Sequence, residues 1–93
     1  MSQVDQQKVY QILEDVVSRN NQDGTFVLMK MDDSELFYKI EGVAAEIWKG
    51  IEQKKNIASI KSQIMGEYNV AEDQLNKDIE SFVTTLLSKK LLK

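Results

Sequence analysis

The sequence contains no cysteine and no histidine. Without cysteine there can be no disulfide bond, no cysteine nucleophile and no iron–sulfur cluster held by thiolates. The absence of both residue types excludes Cys/His metal sites, and the absence of histidine excludes a histidine-based triad or acid–base pair. Any catalysis would have to use Asp, Glu, Lys, Tyr or Ser side chains. No pair of these stands out as an acid and a base, so the sequence does not predict an enzyme.

Long apolar runs are also missing. No run approaches the roughly 20 residues that a membrane-spanning helix needs, and the Gln-rich N-terminus lacks the basic and apolar regions of a signal peptide. We therefore expect a cytoplasmic protein without a membrane partner. A chain of 93 residues suits a single domain, 1–93, with one modest core. The formal net charge of −3 argues against a phosphate-binding protein.

The most informative stretch runs from Leu36 to Ile51 and is typical of a strand that leads directly into a helix. Alternate residues are expected to face the core in the strand, at Leu36, Tyr38 and Ile40. The period then changes to that of an amphipathic helix, with apolar residues at Ala44, Ile47, Trp48 and Ile51. Trp48 is therefore expected in the core. The chain must turn between the two elements, at Glu41 and Gly42.

Two further strands are predicted before this junction. The β-branched pair Val16-Val17 favours a strand over residues 16–20, and Asp23-Gly24 is a strong hairpin signal. Thr25 to Met31 is the second strand, and Asp32 to Ser34 form the next turn. These short connections predict a three-stranded antiparallel meander.

Two details of this N-terminal half are less constrained. We expect Met29 and Met31 to fill gaps in the core. Residues 1–13 could be a frayed tail, or could contain a short helix over 4–13, and the sequence leaves both possibilities open.

The second half is predicted to be helical. Asn56 is a plausible N-cap for a middle helix, and the Asn69…Glu72 spacing resembles a capping box at the start of the last helix. The apolar stripe of the middle helix consists of Ile57, Ile60, Ile64 and Tyr68. That of the last helix consists of Leu75, Ile79, Phe82, Val83, Leu86 and Leu87. Three strands followed by three helices predict an α+β fold.

Taken together, these residues resemble the family of coenzyme PQQ synthesis protein D (PqqD-like), over about Leu13 to Leu92. The pieces that carry the resemblance are Tyr38-x-Ile40-x-x-x-Ala44-x-x-Ile47-Trp48, the middle helix, and Asp78-Ile79-x-x-Phe82-Val83-x-x-Leu86 with the final Leu91-Leu92. There are two departures. Glu41 stands where the family usually has Asn, and Lys90 stands where a Gly is common, so the last helix would end without a left-handed cap.

The resemblance implies a winged-helix-like fold and a non-catalytic function without a cofactor. Domains of this family bind the leader of a ribosomally synthesised precursor peptide and present it to a modifying enzyme, often a radical-SAM protein. One such pathway is PQQ biosynthesis. The leader adds as a strand beside the third strand, in a groove against the last helix. We expect a monomer, with a weak dimer as the alternative.

The predicted peptide-binding residues follow from the resemblance together with the alternation. On the third strand they are Leu36, Phe37, Tyr38, Lys39 and Ile40, and on the last helix they are Lys77, Asp78, Ser81 and Thr85. Phe37 would face away from the core, either as an anchor for a partner or covered by the N-terminal segment. Asp78 would accept a hydrogen bond from the leader or, as we favour, from the turn before the first helix.

The competing interpretation is a DNA-binding winged helix, because the middle and last helices could form a helix-turn-helix. A recognition helix needs Lys or Arg for phosphates and base edges. The last helix offers Lys77 against four acidic residues, Glu72, Asp73, Asp78 and Glu80. This balance predicts that nucleic acid is not a partner.

Overall fold

In the part of the chain that the structure describes, three strands precede three helices. The computed structural model describes residues 4–31 and 33–93, and over 33–37 it describes the backbone. The strands are β1 (Val16–Asn20), β2 (Phe26–Lys30) and β3 (Asp33–Ile40). The helices are α1 (Val43–Glu52), α2 (Ile57–Glu67) and α3 (Glu72–Ser88). This order confirms the predicted α+β fold class.

The strands form an antiparallel sheet in the order β1-β2-β3, which confirms the predicted meander. The helices cover the face of the sheet that presents Phe26, Leu28 and Ile40, all of which are buried. Met29 and Met31 have the opposite parity, because successive side chains of a strand point to opposite faces. The expectation that they fill the core is therefore wrong, and Met31 is 72% exposed.

The third strand begins earlier than predicted. Asp33 and Ser34 were expected in a turn, but β3 already starts at Asp33. The pairing of β2 with β3 shifts between Met29 and Lys30: Met29 is opposite Phe37, whereas Lys30 is opposite Asp33. Such an irregularity accommodates extra residues on one strand without ending the ladder, which sequence alternation alone does not predict.

The turn from β3 into α1 depends on a glycine. Gly42 is the N-cap of α1 and has φ 64°, in the left-handed region where residues with a Cβ atom are strained. No side chain caps the helix there. The junction therefore forms at Gly42, and the presence of Glu41 rather than Asn does not prevent it.

The three helices direct the predicted stripes towards the core, where Ala44 and Leu87 are partly buried and Tyr68 is the exception. The side chain of Asn56 accepts a hydrogen bond from the Ser59 amide at 2.8 Å, which confirms it as the N-cap of α2. Tyr68 follows the last turn of α2 and is 40% exposed, so it does not belong to the buried stripe. The predicted capping box of α3 is also wrong, because Ala71 is the N-cap and makes no side-chain hydrogen bond.

Both α1 and α3 end in a left-handed residue that is a lysine. Lys54 has φ 62° and Lys90 has φ 61°. At the end of α3, the Lys90 amide donates to the Leu87 carbonyl at 3.1 Å and the Leu91 amide donates to the Leu86 carbonyl at 2.9 Å. These two bonds are those of a Schellman motif. The expectation that α3 ends without a left-handed cap is therefore wrong.

The N-terminal segment is fixed to the rest of the fold and contains no helix over residues 4–13. Tyr10 is buried in the core. Gln11 and Lys93 exchange two backbone hydrogen bonds of 2.9 Å each, and Ile12 forms an isolated bridge with Leu92. These partners lie some eighty residues apart in sequence, and local propensity gives no signal of them.

The core lies between the sheet, the N-terminal segment and the helices. Trp48 is completely buried, as predicted. Gly50 lets α1 approach Ile60 of α2 closely. No helix among the described residues is long and apolar enough to cross a membrane.

Candidate functional site

The outer edge of β3 is the first element of the candidate site. β3 lies at one side of the sheet and pairs only with β2 among the described strands. An edge strand of this kind leaves N–H and C=O groups on one side without a partner strand. These groups can form hydrogen bonds with another extended chain.

A groove of about 350 Å³ lies where the end of β3, the start of α1 and one face of α3 come together. We call it the β3–α3 groove. Its lining residues are Tyr38, Glu41, Val43, Ala44, Ile47, Asp78, Ser81, Phe82 and Thr85. Ile47 and Phe82 are buried and form an apolar floor, while Glu41, Asp78 and Ser81 are exposed. The groove can therefore take an apolar side chain at its base and polar groups along its walls.

Two carboxylates lie at the α1 end of the groove. Gln74 donates a hydrogen bond from Nε2 to Oδ1 of Asp78 at 2.9 Å, one helical turn away. Asp78 was expected to bond the leader or the turn before α1, and in this structure its side-chain partner is Gln74. The second carboxylate belongs to Glu41. Among the described residues, neither Glu41 nor Asp78 forms a salt bridge.

The other end of the groove is marked by Tyr38. This side chain is half-buried and packs against the core. Lys89 Nζ lies 5.7 Å from the centre of the Tyr38 ring, within the range of a cation–π contact. The end of α3 is thus connected to β3, and a positive charge lies at this end.

The structure brings together four of the residues predicted from the sequence. Tyr38, Asp78, Ser81 and Thr85 all line the β3–α3 groove. Lys77 is exposed on α3 but lies outside the lining residues.

The remaining predicted residues belong to β3. Ile40 is buried in the core, so that its backbone alone is available to a partner. Lys39 is exposed and lies opposite Val27 in the sheet. Leu36 and Phe37 belong to β3 by their backbone, and the predicted outward position of the Phe37 ring lies outside the described residues.

Sequence reasoning missed the contribution of the β3–α1 junction to the groove. Glu41 and Val43 close one end of it, and Ala44, Ile47 and Phe82 complete the lining. Ala44, Ile47 and Phe82 had been assigned to core stripes. The signal that could have located them is the immediate change from strand to helix period, because it forces the first turn of α1 to lie beside the end of β3.

Two side chains have clearly shifted pKa values, and both lie outside the groove. Hydrogen bonds from the Thr25 side chain and backbone lower the pKa of Asp23. The negative charge of Glu46, which accepts a hydrogen bond from the Tyr68 hydroxyl, raises the pKa of Tyr68. What the β3–α3 groove offers is a row of backbone hydrogen-bonding groups beside an apolar floor with charged ends, an arrangement suited to binding an extended chain.

A strand edge without a partner among the described strands, beside a helix-lined groove, is typical of an α+β domain that binds an extended peptide. Residues 21–92 match the family model of coenzyme PQQ synthesis protein D (PqqD), and the chain belongs to this family. The resemblance predicted from the sequence is thereby confirmed. A comparison with curated protein sequences finds no match.

Two solved structures are similar over most of the chain. One is described as TbiB1 in complex with the TbiA(beta) leader peptide. It is 28% identical, covers 89% of this chain and 94% of its own, and has a TM-score of 0.81. The second is a lasso peptide synthetase B1 complexed with the leader peptide, at 19% identity, 92% and 99% coverage and a TM-score of 0.80. At that identity the second likeness shows the fold alone.

Proposed function

We propose that this protein is a non-catalytic module that recognises the leader of a ribosomally made precursor peptide and presents it to a modifying enzyme. The observation that carries the proposal is the outer edge of β3, which pairs with none of the described strands and runs beside the β3–α3 groove. The leader adds to this edge as a further strand. Its proposed contacts are Leu36, Phe37, Tyr38, Lys39 and Ile40 on β3, and Lys77, Asp78, Ser81 and Thr85 on α3.

In this binding mode, the backbone and the side chains of the leader make different contributions. Main-chain hydrogen bonds to β3 supply affinity that depends little on the sequence of the leader. Alternate side chains of the added strand enter the groove, because successive residues of a strand point to opposite sides. The apolar floor at Ile47 and Phe82 and the polar wall along α3 then select among peptides.

The more similar of the two solved structures supports a peptide ligand. TbiB1, which is 28% identical over nearly the whole chain, was solved in complex with a leader peptide. The modifying enzyme follows from the function of a leader, which is to bring a precursor to the enzyme that alters it. A radical-SAM enzyme is our candidate for this partner.

DNA binding has no comparable support. The exposed part of α3 carries acidic side chains, and Lys61 of α2 forms an ion pair with Glu72 at 3.2 Å. Phosphates would meet more negative than positive charge on this surface.

The test is an amide NMR titration of the labelled protein with the leader segment of a candidate precursor peptide. We expect the largest shifts at residues 36–40 and along the groove face of α3. Shifts confined to residues 16–31 or to α2, with 36–40 unchanged, would show that the proposed site is wrong. A duplex DNA titration in the same buffer is the second arm, and specific binding there would replace the peptide hypothesis with a regulator.

A further inference from the structure

The β3–α3 groove has charges of opposite sign at its two ends. Glu41 and Asp78 line the α1 end. At the other end, Lys89 lies over the Tyr38 ring. Tyr38 and Glu41 are three residues apart along the backbone, which corresponds to about 10 Å in extended chain. An extended peptide in the groove therefore experiences a different sign of charge at each end.

Among the described residues, no cationic side chain forms a salt bridge with the carboxylates of Glu41 and Asp78. The salt bridges among the described residues join Lys30 with Asp15, Lys49 with Glu46 and Lys61 with Glu72, and none involves Glu41 or Asp78. The side-chain hydrogen bond that Asp78 accepts comes from Gln74, which is neutral. Lys77 does not line the groove. A cationic side chain that pairs with either carboxylate would therefore have to come from a ligand.

The apolar floor also favours a particular kind of cation. Ile47 and Phe82 lie beneath the exposed carboxylates in the same groove. A Lys or Arg side chain can lay its methylene stem on such a floor while its charged head remains among polar groups at the rim. A small inorganic cation would gain nothing from the apolar surface.

We propose that the groove selects peptides that place a Lys or Arg side chain over Glu41 and Asp78. This inference rests on the proposed function and deepens it, because it states the chemistry of the leader at one position. Lys89 repels a second cation at the Tyr38 end, so the preference applies to the α1 end of the groove alone.

The size of the effect follows from the exposure of both carboxylates. Ion pairs in contact with solvent are weak, and two of them together correspond to a difference in affinity of about twofold to thirtyfold. The preference should weaken at high ionic strength, because salt screens exposed charges.

The experiment uses a displayed library of random peptides long enough to lie along β3, selected on the immobilised full chain. Selected peptides are then tested against Ser81→Trp, which fills the groove, and those whose binding it removes are groove ligands. A parallel selection uses the double variant Glu41→Gln/Asp78→Asn. The matched control is Asp73→Asn/Glu80→Gln, which also removes two negative charges, but from residues of α3 that do not line the groove.

We expect groove ligands of the unaltered protein to share Lys or Arg at one fixed position. This preference should disappear with Glu41→Gln/Asp78→Asn and persist with the control. A synthetic ligand with that residue changed to Gln should bind the unaltered protein about twofold to thirtyfold more weakly at low salt. The double variant should bind this ligand and the original ligand equally well.

Failure of this inference can be separated from failure of the proposed function. Groove ligands without a shared cation, or with one that persists in the double variant, would overturn the inference and leave strand addition intact. A selection whose peptides all bind Ser81→Trp as well as the unaltered protein would overturn the proposed function together with the inference.

Discussion

Gly50 and Ile60 join the first two helices at a distance that leaves no room for a methyl group. A Cβ atom at Gly50 would lie 2.5 Å from Cγ1 of Ile60, which is itself buried. Since Cγ1 is in the middle of a packed side chain, the contact cannot be relieved by moving a flexible end. The close approach of α1 and α2 helps to fix the position of α1, whose first turn closes the groove.

Gly50→Ala should therefore destabilise the fold, although alanine is the better helix former. Overpacking costs about 1–3 kcal/mol, and the gain in helix propensity offsets about 1 kcal/mol of this, so we expect a net loss of up to about 2 kcal/mol. Gly66→Ala in α2 is the matched control, because a Cβ atom there meets nothing within 4 Å. It should stabilise the protein by about 0.5–1 kcal/mol. Urea unfolding of both variants is the measurement, and a stabilised Gly50→Ala would contradict the predicted contact.

Lys90→Gly should stabilise the protein. The left-handed conformation at φ 61° costs a residue with a Cβ atom about 1–2 kcal/mol. Glycine avoids this cost, but part of the gain is offset because glycine makes the unfolded chain more flexible. We expect a gain of about 0.5–1 kcal/mol, and the same for Lys54→Gly at φ 62°. Gln53→Gly is the control, since its φ of −82° is ordinary and the change should destabilise. Equal effects at 53 and 90 would contradict the strained lysine caps.

The sequence predicts those parts of this fold that depend on neighbouring residues. Asp23-Gly24 predicts the hairpin, Asn56 predicts a helix start, and the change of period after Ile40 predicts the strand–helix junction. Each of these signals depends on neighbouring residues alone, so the structure that it predicts also forms in the folded protein. Which face of β2 enters the core depends on its contacts with the rest of the fold. The prediction from the sequence therefore placed Met29 on the wrong face.

The residues of the candidate site also fall into two groups, those that local patterns predict and those that depend on long-range packing. Tyr38, Asp78, Ser81 and Thr85 were predicted because the resemblance indicates a groove and helical spacing indicates one face of α3. Glu41 and Val43 line that groove through the way β3, α1 and α3 meet, which is a long-range property. Lys90 likewise occupies a left-handed position because Leu91 and Leu92 must be buried, and packing outweighs the local preference for glycine.

Thr25→Val should raise the pKa of Asp23 towards 3.8. In the folded protein the Thr25 hydroxyl donates to Asp23 Oδ1 at 2.7 Å and the Thr25 amide donates at 3.1 Å, so the charged carboxylate is favoured. Because the folded pKa lies below the unfolded one, this contribution to stability is present above the unfolded pKa and is lost as pH falls through the folded pKa. NMR titration of the Asp23 carboxyl group is the measurement. Thr25→Ser keeps the hydroxyl and should keep the lowered pKa; an unchanged pKa in Thr25→Val would contradict the assignment.

Phe37→Ala should weaken leader binding without a large loss of stability. The alternation of the sequence predicts that this ring faces away from the core, where it can contact an added strand. For a moderate interface anchor we expect a loss of about 1–2 kcal/mol in binding, measured by calorimetry. Trp48→Ala provides the contrast, because Trp48 is completely buried and its removal should destabilise the fold by about 3–5 kcal/mol. If Phe37→Ala destabilised the fold comparably and left affinity unchanged, the ring would be structural.

Ser81→Trp should remove leader binding by filling the β3–α3 groove. Ser81 is exposed and lies on the α3 wall, so an indole ring there occupies the space of the incoming side chains without displacing a buried residue. We expect affinity to fall by about tenfold or more, since alternate side chains of the added strand would lose their contacts. Thr84→Trp is the matched control, because Thr84 is an exposed residue of the same helix that does not line the groove. Both variants should unfold at nearly the temperature of the unaltered protein, which separates a blocked site from a damaged fold. Equal leader affinity in the two tryptophan variants would place the peptide elsewhere, because a ligand that enters the groove should be affected by Ser81→Trp and not by Thr84→Trp.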